Sequence, residues 1–138
     1  MTDGDCIFCK IVRGELPATV VNRTDGFMAI EDIAPKADVH LLVIPERHLE
    51  TFRDVSVMGE EEAKRMVDFV AETARAAGLD EYRLMVFVGA GAGQTVFHLH
   101  FHVLPRWEGQ PMRLHAGGPM ADMDELKALA AQIAAKIS

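Results

Sequence analysis

Hydrophobic positions along this chain fall into two rhythms, one of period two and one of three to four, and these separate strands from helices. Residues 19–22 are β-branched and predict a strand, and Asp25-Gly26 then signals a hairpin turn. Residues 27–33 and 39–44 also predict strands, with Ala34-Pro35 and Pro45 as punctuation. From about 57 to 77, Ala63, Met66, Val67, Val70, Ala74 and Ala77 recur at spacings of three and four. That spacing predicts an amphipathic helix, stopped by Gly78. Residues 83–88 predict another strand. The loop Gly89-Ala90-Gly91-Ala92-Gly93 follows, then a strand over 95–104 ended by Pro105.

The two ends of the chain are simpler. Residues 6–12 form a short apolar turn or helix, ended by Gly14 and Pro17. Residues 108–119 look like a loop. Asp122, with Glu125 three residues on, resembles a helix start. Met123, Leu126, Leu129, Ala130, Ile133 and Ile137 then supply a helical face. Adjacent strands interrupted by one long helix predict an α+β fold with an antiparallel sheet, one long central helix and a C-terminal helix. No repeat or linker divides the 138 residues, so a single domain over 1–138 is expected. A chain of this length buries roughly 68–70% of its unfolded surface.

The strand over 95–104 carries the chemistry. It contains His98-Leu99-His100-Phe101-His102-Val103-Leu104, three of the six histidines at strict two-residue spacing. Strand side chains alternate between faces, so the imidazoles share one face while Leu99, Phe101 and Val103 fill the other. Incidental histidines on a half-exposed strand would not need that spacing. A single metal ion suits the row poorly, since the outer two positions lie about 13 Å apart at ~3.3 Å per residue and Zn–N bonds are only about 2.0–2.1 Å. Nucleophilic catalysis at phosphorus suits it better: a neutral imidazole attacks and flanking imidazoles hold phosphate oxygens. The middle residue, His100, is best placed to attack. The glycine loop entering this strand can bring N–H groups near an anion, although a plain flexible connection reads the same way. Gln94 and Thr95 add side-chain donors.

Composition narrows the partners. A net charge of −7 without a Lys/Arg block argues against a nucleic-acid polymer. No apolar run approaches the ~18 residues of a membrane span. The acidic start Met1-Thr2-Asp3-Gly4-Asp5 is unlike a signal peptide, so a cytoplasmic protein is expected. In a reducing compartment, Cys6 and Cys9 read as a metal or redox pair sooner than a disulfide.

The run from Gly93 to Leu104 closely resembles the signature of the histidine triad (HIT) superfamily. Cys6-Ile7-Phe8-Cys9-Lys10-Ile11-Val12-Arg13-Gly14-Glu15-Leu16-Pro17-Ala18 resembles the N-terminus of its bacterial Hint-like branch. Asp32-Ile33-Ala34-Pro35-Lys36-Ala37, His40-Leu41-Leu42-Val43-Ile44-Pro45 and Glu46-Arg47-His48 resemble its middle. Together these stretches cover about residues 6–107.

The resemblance implies a HIT-like antiparallel sheet, a homodimer, and hydrolysis or transfer of nucleotides at the α-phosphate. It makes His100 the nucleophile, with His102 and His40 on the phosphate and His98 positioning His100. Gln94 and Thr95 would meet phosphate or leaving group, and Asp32 the ribose hydroxyls. Ile7, Phe8, Ile11 and Ile33 would line the base pocket, although ordinary core residues would look alike in sequence. Cys6, Cys9, His48 and His98 would hold a structural zinc, a set suited to a closed tetrahedral site; no cofactor is expected for catalysis.

The implied substrate is a purine nucleoside 5′-phosphoramidate or related adenylate. A dinucleoside polyphosphate hydrolase and a weakly catalytic nucleotide-binding regulatory module are the alternatives. One position departs from the pattern: many relatives carry Asn seven residues before the glutamine, where this chain has Phe87. That departure bears on substrate preference and rate, not on the nucleophile. His115 is assigned to surface.

Overall fold

The computed structural model describes residues 4–35, 37–105 and 122–137. The chain divides into two compact units, residues 1–107 and 108–138. The sheet and every candidate site residue belong to the first.

That unit is built on a five-stranded antiparallel sheet in the order β1-β2-β3-β5-β4. Its strands are β1 (Val20–Thr24), β2 (Phe27–Glu31), β3 (Leu41–Pro45), β4 (Tyr82–Met85) and β5 (Phe101–Pro105). The expected hairpin joins β1 and β2 at Gly26, whose φ of 97° suits glycine. Glu46 pins this turn, accepting from Gly26 N at 2.9 Å and pairing with Arg23.

Two layers cover the sheet. On one face Phe27, Ala29, Leu41, Val43, Leu99, Phe101 and Val103 form a core with Met66, Phe69, Val70 and Ala74 of α2 (Glu60–Ala76). On the other, Met28, Ile30, Leu42 and Ile44 pack with Cys6, Phe8 and Cys9, at and within the short helix α1 (Ile7–Val12). Coverage of both faces explains why β2 and β3 read as unbroken apolar runs rather than alternating ones.

The central helix is shorter than the 57–77 expected. A 3₁₀ turn, Phe52–Val57, precedes it with a capping box between Thr51 and Asp54, and α2 starts only after Gly59. Its end matches expectation: Gly78 has φ 77°, Gly78 N donates to Arg75 O and Leu79 N to Ala74 O, the paired bonds of a Schellman stop. The buried stripe is also shifted. Phe69 is buried and Val67 exposed, because the stripe that meets the sheet centres on Met66, Phe69, Val70, Thr73 and Ala74.

The histidine segment departs most from expectation. Only Phe101–Pro105 pairs in the sheet. His98 and His100 lie upstream, where Leu99 N donates instead to Leu49 O at 2.6 Å. The His98 carbonyl is taken by the His100 ring, so a side chain occupies a backbone acceptor that a longer ladder would have used. The side-chain alternation nevertheless persists, with Leu99, Phe101 and Val103 all in the helix-facing core.

In the second unit, α3 (Met123–Ala134) is capped by Asp122, whose carboxylate accepts from Asp124 N at 2.8 Å. Its apolar face, including Leu126, Leu129 and Ile133, is exposed. The loop expected over 108–119, with His115, lies outside the described residues.

Leu99 is 1% exposed on the face opposite the imidazoles. Leu99→Ala should therefore lower unfolding free energy by about 2–5 kcal/mol while the folded fraction keeps its site chemistry. Denaturant melts together with activity per folded molecule check this.

Candidate active site and metal centre

The fold gathers all the expected residues but Gln94 around two adjoining centres, joined at His98. The first is an open cleft of about 360 Å³. Ile7, Phe8, Ile11, Asp32, Ile33, Thr95, His100 and His102 line it. Ile30, Leu42 and Val96 do so too; sequence reasoning had not assigned them to the site. The Ile30–Leu42 cross-strand pair places both on the α1 face of the sheet, a placement readable from period two once the register is known. Ile33 is 99% exposed, a large apolar side chain on the rim of a cleft.

Hydrogen bonds fix the protons on the imidazoles. His100 Nδ1 lies 2.7 Å from the His98 carbonyl oxygen. A carbonyl only accepts, so Nδ1 carries the proton and Nε2 keeps its lone pair. Burial lowers the His100 pKa, outweighing the opposing effects of that bond and of the Asp32 charge. The ring is therefore neutral at pH 7 and nucleophilic at Nε2. Phe8 packs edge-on against both His100 and His98, with ring centres 5.1 and 5.8 Å away.

His102 is half-buried, with its ring centre 5.0 Å from that of His100. Its Nδ1 is 2.9 Å from His40 Nε2, and Asp32 Oδ2 lies 3.5 Å from the same His40 nitrogen. The neighbouring carboxylate favours the proton on His40 Nε2, which then donates to His102 Nδ1. His102 is left with its own proton on Nε2, a donor for an anion. Burial, then the nearby His100 and His40 charges, push the His102 pKa down to about 4 against the pull of Asp32. Phe87 covers this ring at 4.9 Å between centres, so the departure noted in sequence is an aromatic wall beside His102.

Gln94 takes a different place. It is buried and does not line the cleft. Its Oε1 accepts from Gly89 N, and its Nε2 donates to the Glu50 and Val96 carbonyls. Its amide thereby closes the glycine loop, which coils as a short 3₁₀ turn at Ala90–Ala92 between Gly89 and Gly93, both at positive φ. The N–H groups of Gly89, Ala92, Gly93 and Gln94 are all taken within this loop. It is a knot more than the open anion cradle that glycine spacing suggested. Thr95 is exposed at the cleft.

The second centre joins Cys6, Cys9, His48 and His98. Cys6 Sγ lies 3.3 Å from His98 Nδ1, Cys9 Sγ 3.3 Å from His48 Nδ1 and 3.5 Å from His98 Nδ1, and the two Nδ1 atoms 3.3 Å apart. A tetrahedral zinc with bonds of about 2.0–2.1 Å to nitrogen and 2.3 Å to sulfur has N···N and N···S edges of roughly 3.3–3.6 Å. The donor set therefore fits zinc in kind and spacing. His98 Nε2 donates to the Pro45 carbonyl at 2.7 Å, which leaves Nδ1 deprotonated toward the thiols. Cys6 Sγ also accepts from Cys9 N at 3.4 Å, which holds the two cysteines in register at the start of α1.

The HIT domain family matches residues 13–109. The chain belongs to the HIT family. A purine nucleoside phosphoramidase of Escherichia coli (strain K12) is 37% identical over 115 residues, which is 82% of this chain and 97% of that protein. The adenylylsulfatase HINT3 of Arabidopsis thaliana is 34% identical over 119 residues, covering 81% of this chain and 60% of that one. The crystal structure of a HIT family member from Bacillus subtilis superposes with a TM-score of 0.79 at 30% identity, covering 97% of this chain and 98% of that chain.

The donor spacing makes a direct prediction. Purified protein should contain about one zinc per chain by elemental analysis, and a Cys6→Ala/Cys9→Ala variant none. Wild-type protein purified without chelator and free of metal would contradict it.

Proposed function

We propose that this HIT protein hydrolyses a purine nucleoside 5′-phosphoramidate, or a related adenylate, through a covalent nucleotidyl-His100. The observation that carries this reading is the 2.7 Å bond from His100 Nδ1 to the His98 carbonyl, which leaves a neutral Nε2 lone pair in a cleft. That lone pair forms an N–P bond at the α-phosphorus. The bond from phosphorus to the amine breaks, its electron pair stays on the amine nitrogen, and the amine takes up a proton from water. A water molecule then attacks the phosphorus, gives up a proton and releases the nucleoside monophosphate with neutral His100.

Other site residues support the two steps. The Nε2–H of His102 suits a phosphate oxygen in a half-buried setting, where such a bond gains strength. Thr95 supplies a hydroxyl at the cleft. Asp32, whose Oδ1 accepts from Ala34 N at 2.8 Å, is held at the end of β2 and suits a pair of ribose hydroxyls. Ile7, Ile11 and the fully exposed Ile33 suit a flat base. Gln94 acts on this reading by holding the loop that presents Thr95, not by touching phosphate itself. Zinc, when bound by Cys6, Cys9, His48 and His98, would hold the segment carrying His98 against α1 and supply no step of the reaction.

The phosphoramidase and adenylylsulfatase names of two relatives agree with attack at a nucleotide α-phosphate. Replacing the nucleophile tests the reading. His100→Ala should lower kcat for adenosine 5′-phosphoramidate by about a thousandfold or more while adenosine monophosphate still binds. Turnover within tenfold of wild type would overturn it. Tight nucleotide binding by a wild type that barely turns over would instead favour a regulatory module.

A further inference from the structure

We propose that Asp32, His40 and His102 form a second divalent-cation site, open to the cleft, at which Zn²⁺ competes with the nucleotide. The competition rests on the role given to Asp32 above; the site itself does not.

Three donors from three strand ends converge here. Asp32 Oδ2 lies 3.5 Å from His40 Nε2, which lies 2.9 Å from His102 Nδ1, and all three atoms fall within 4.8 Å of one another. Two imidazole nitrogens and one carboxylate oxygen form the donor set of open zinc sites, in which three protein ligands leave a position for an exchangeable group. The cysteine-bearing centre is the closed contrast, with four donors and little solvent access. Here Asp32 and His102 line the cleft, so an ion has a route in.

The donors are held in place before any ion arrives. His40 is 5% exposed. Asp32 N donates to the His40 carbonyl at 2.9 Å, and Asp32 Oδ1 is occupied by Ala34 N, which leaves Oδ2 on the His40 side. Phe87 backs the His102 ring. The two nitrogens stand at hydrogen-bond distance and need to part by about 0.4 Å to reach a zinc edge of about 3.3 Å. Rotation of the half-buried His102 supplies that. The step balances without net proton release: the His40 proton passes by way of water from Nε2 to Nδ1, both rings stay neutral, and Zn²⁺ takes the lone pairs on His40 Nε2 and His102 Nδ1. No ligand changes oxidation state.

With Asp32 on the metal, its carboxylate no longer meets ribose hydroxyls, so nucleotide and ion exclude each other. Inorganic phosphate, which does not need Asp32, should not compete.

The test starts from protein carrying one zinc in the cysteine centre. Zinc is titrated against a chelating indicator, with stoichiometry read by native mass spectrometry. A second, weaker equivalent is expected. Asp32→Asn and His40→Gln should each weaken it by more than about tenfold and keep the first equivalent, which also reports that they fold. Saturating adenosine monophosphate should lower the apparent affinity of the second equivalent, and inorganic phosphate should not. Absence of a second equivalent, or its retention in both variants, would overturn the site. Zinc binding unchanged by bound adenosine monophosphate would overturn the competition. Failure of the nucleotide to bind zinc-limited protein would count against the proposed function alone, since the second equivalent still reads the metal site.

Discussion

The site depends on one residue that is bonded in three directions. His98 is fully buried, and both its ring nitrogens and its carbonyl are committed. Its Nε2–H is spent on the Pro45 carbonyl, its Nδ1 faces two thiols and a second imidazole, and its own carbonyl receives the Nδ1–H of His100. Buried polar groups are costly unless partnered. Here the partnering also sets which nitrogen of each ring is basic. One backbone carbonyl thus decides that His100 presents Nε2, while one ring ties that carbonyl to the cysteine centre. On the proposed reading the first histidine of the row belongs to structure and the second to chemistry, with a single peptide carbonyl between them.

Around that constraint the cleft is arranged for neutral imidazoles. Burial is the largest effect on both His100 and His102, and it outweighs the Asp32 carboxylate that favours their charged forms. An electropositive pocket built from imidazolium ions would bind phosphate but could not attack it. In the proposed reaction a neutral row keeps one lone pair for phosphorus and leaves N–H donors for oxygen. Phe8 packs against the His100 ring and Phe87 against the His102 ring, neither offering a competing hydrogen bond.

Much of the scaffold was legible because it rests on backbone periodicity. The alternation at Leu99, Phe101 and Val103, the hairpin at Asp25-Gly26, the stop at Gly78 and the α+β class all follow from rules that need no tertiary knowledge. The β5 ladder did not: His98 and His100 lie outside it because a side chain takes the carbonyl, and a pattern of residue types does not record that competition. The shift from Val67 to Phe69 on α2 depends on which stripe meets the sheet. Gln94 read as an anion donor because an amide at a loop mouth suits that role equally well; only its three backbone partners reveal the knot. Cys6 and Cys9 announced themselves by spacing. His48, 39 residues on from Cys9, joined them through family resemblance and not through any local signal.

The proposed chemistry stands or falls on phosphorus passing through His100. The most direct measurement is rapid-quench intact-mass analysis of a single turnover with adenosine 5′-phosphoramidate. A transient gain of one adenylyl group is expected, mapping to the peptide that carries His100 and decaying as adenosine monophosphate appears. Complete product formation with no adduct at any quench time, or an adduct that persists in His100→Ala, would contradict it.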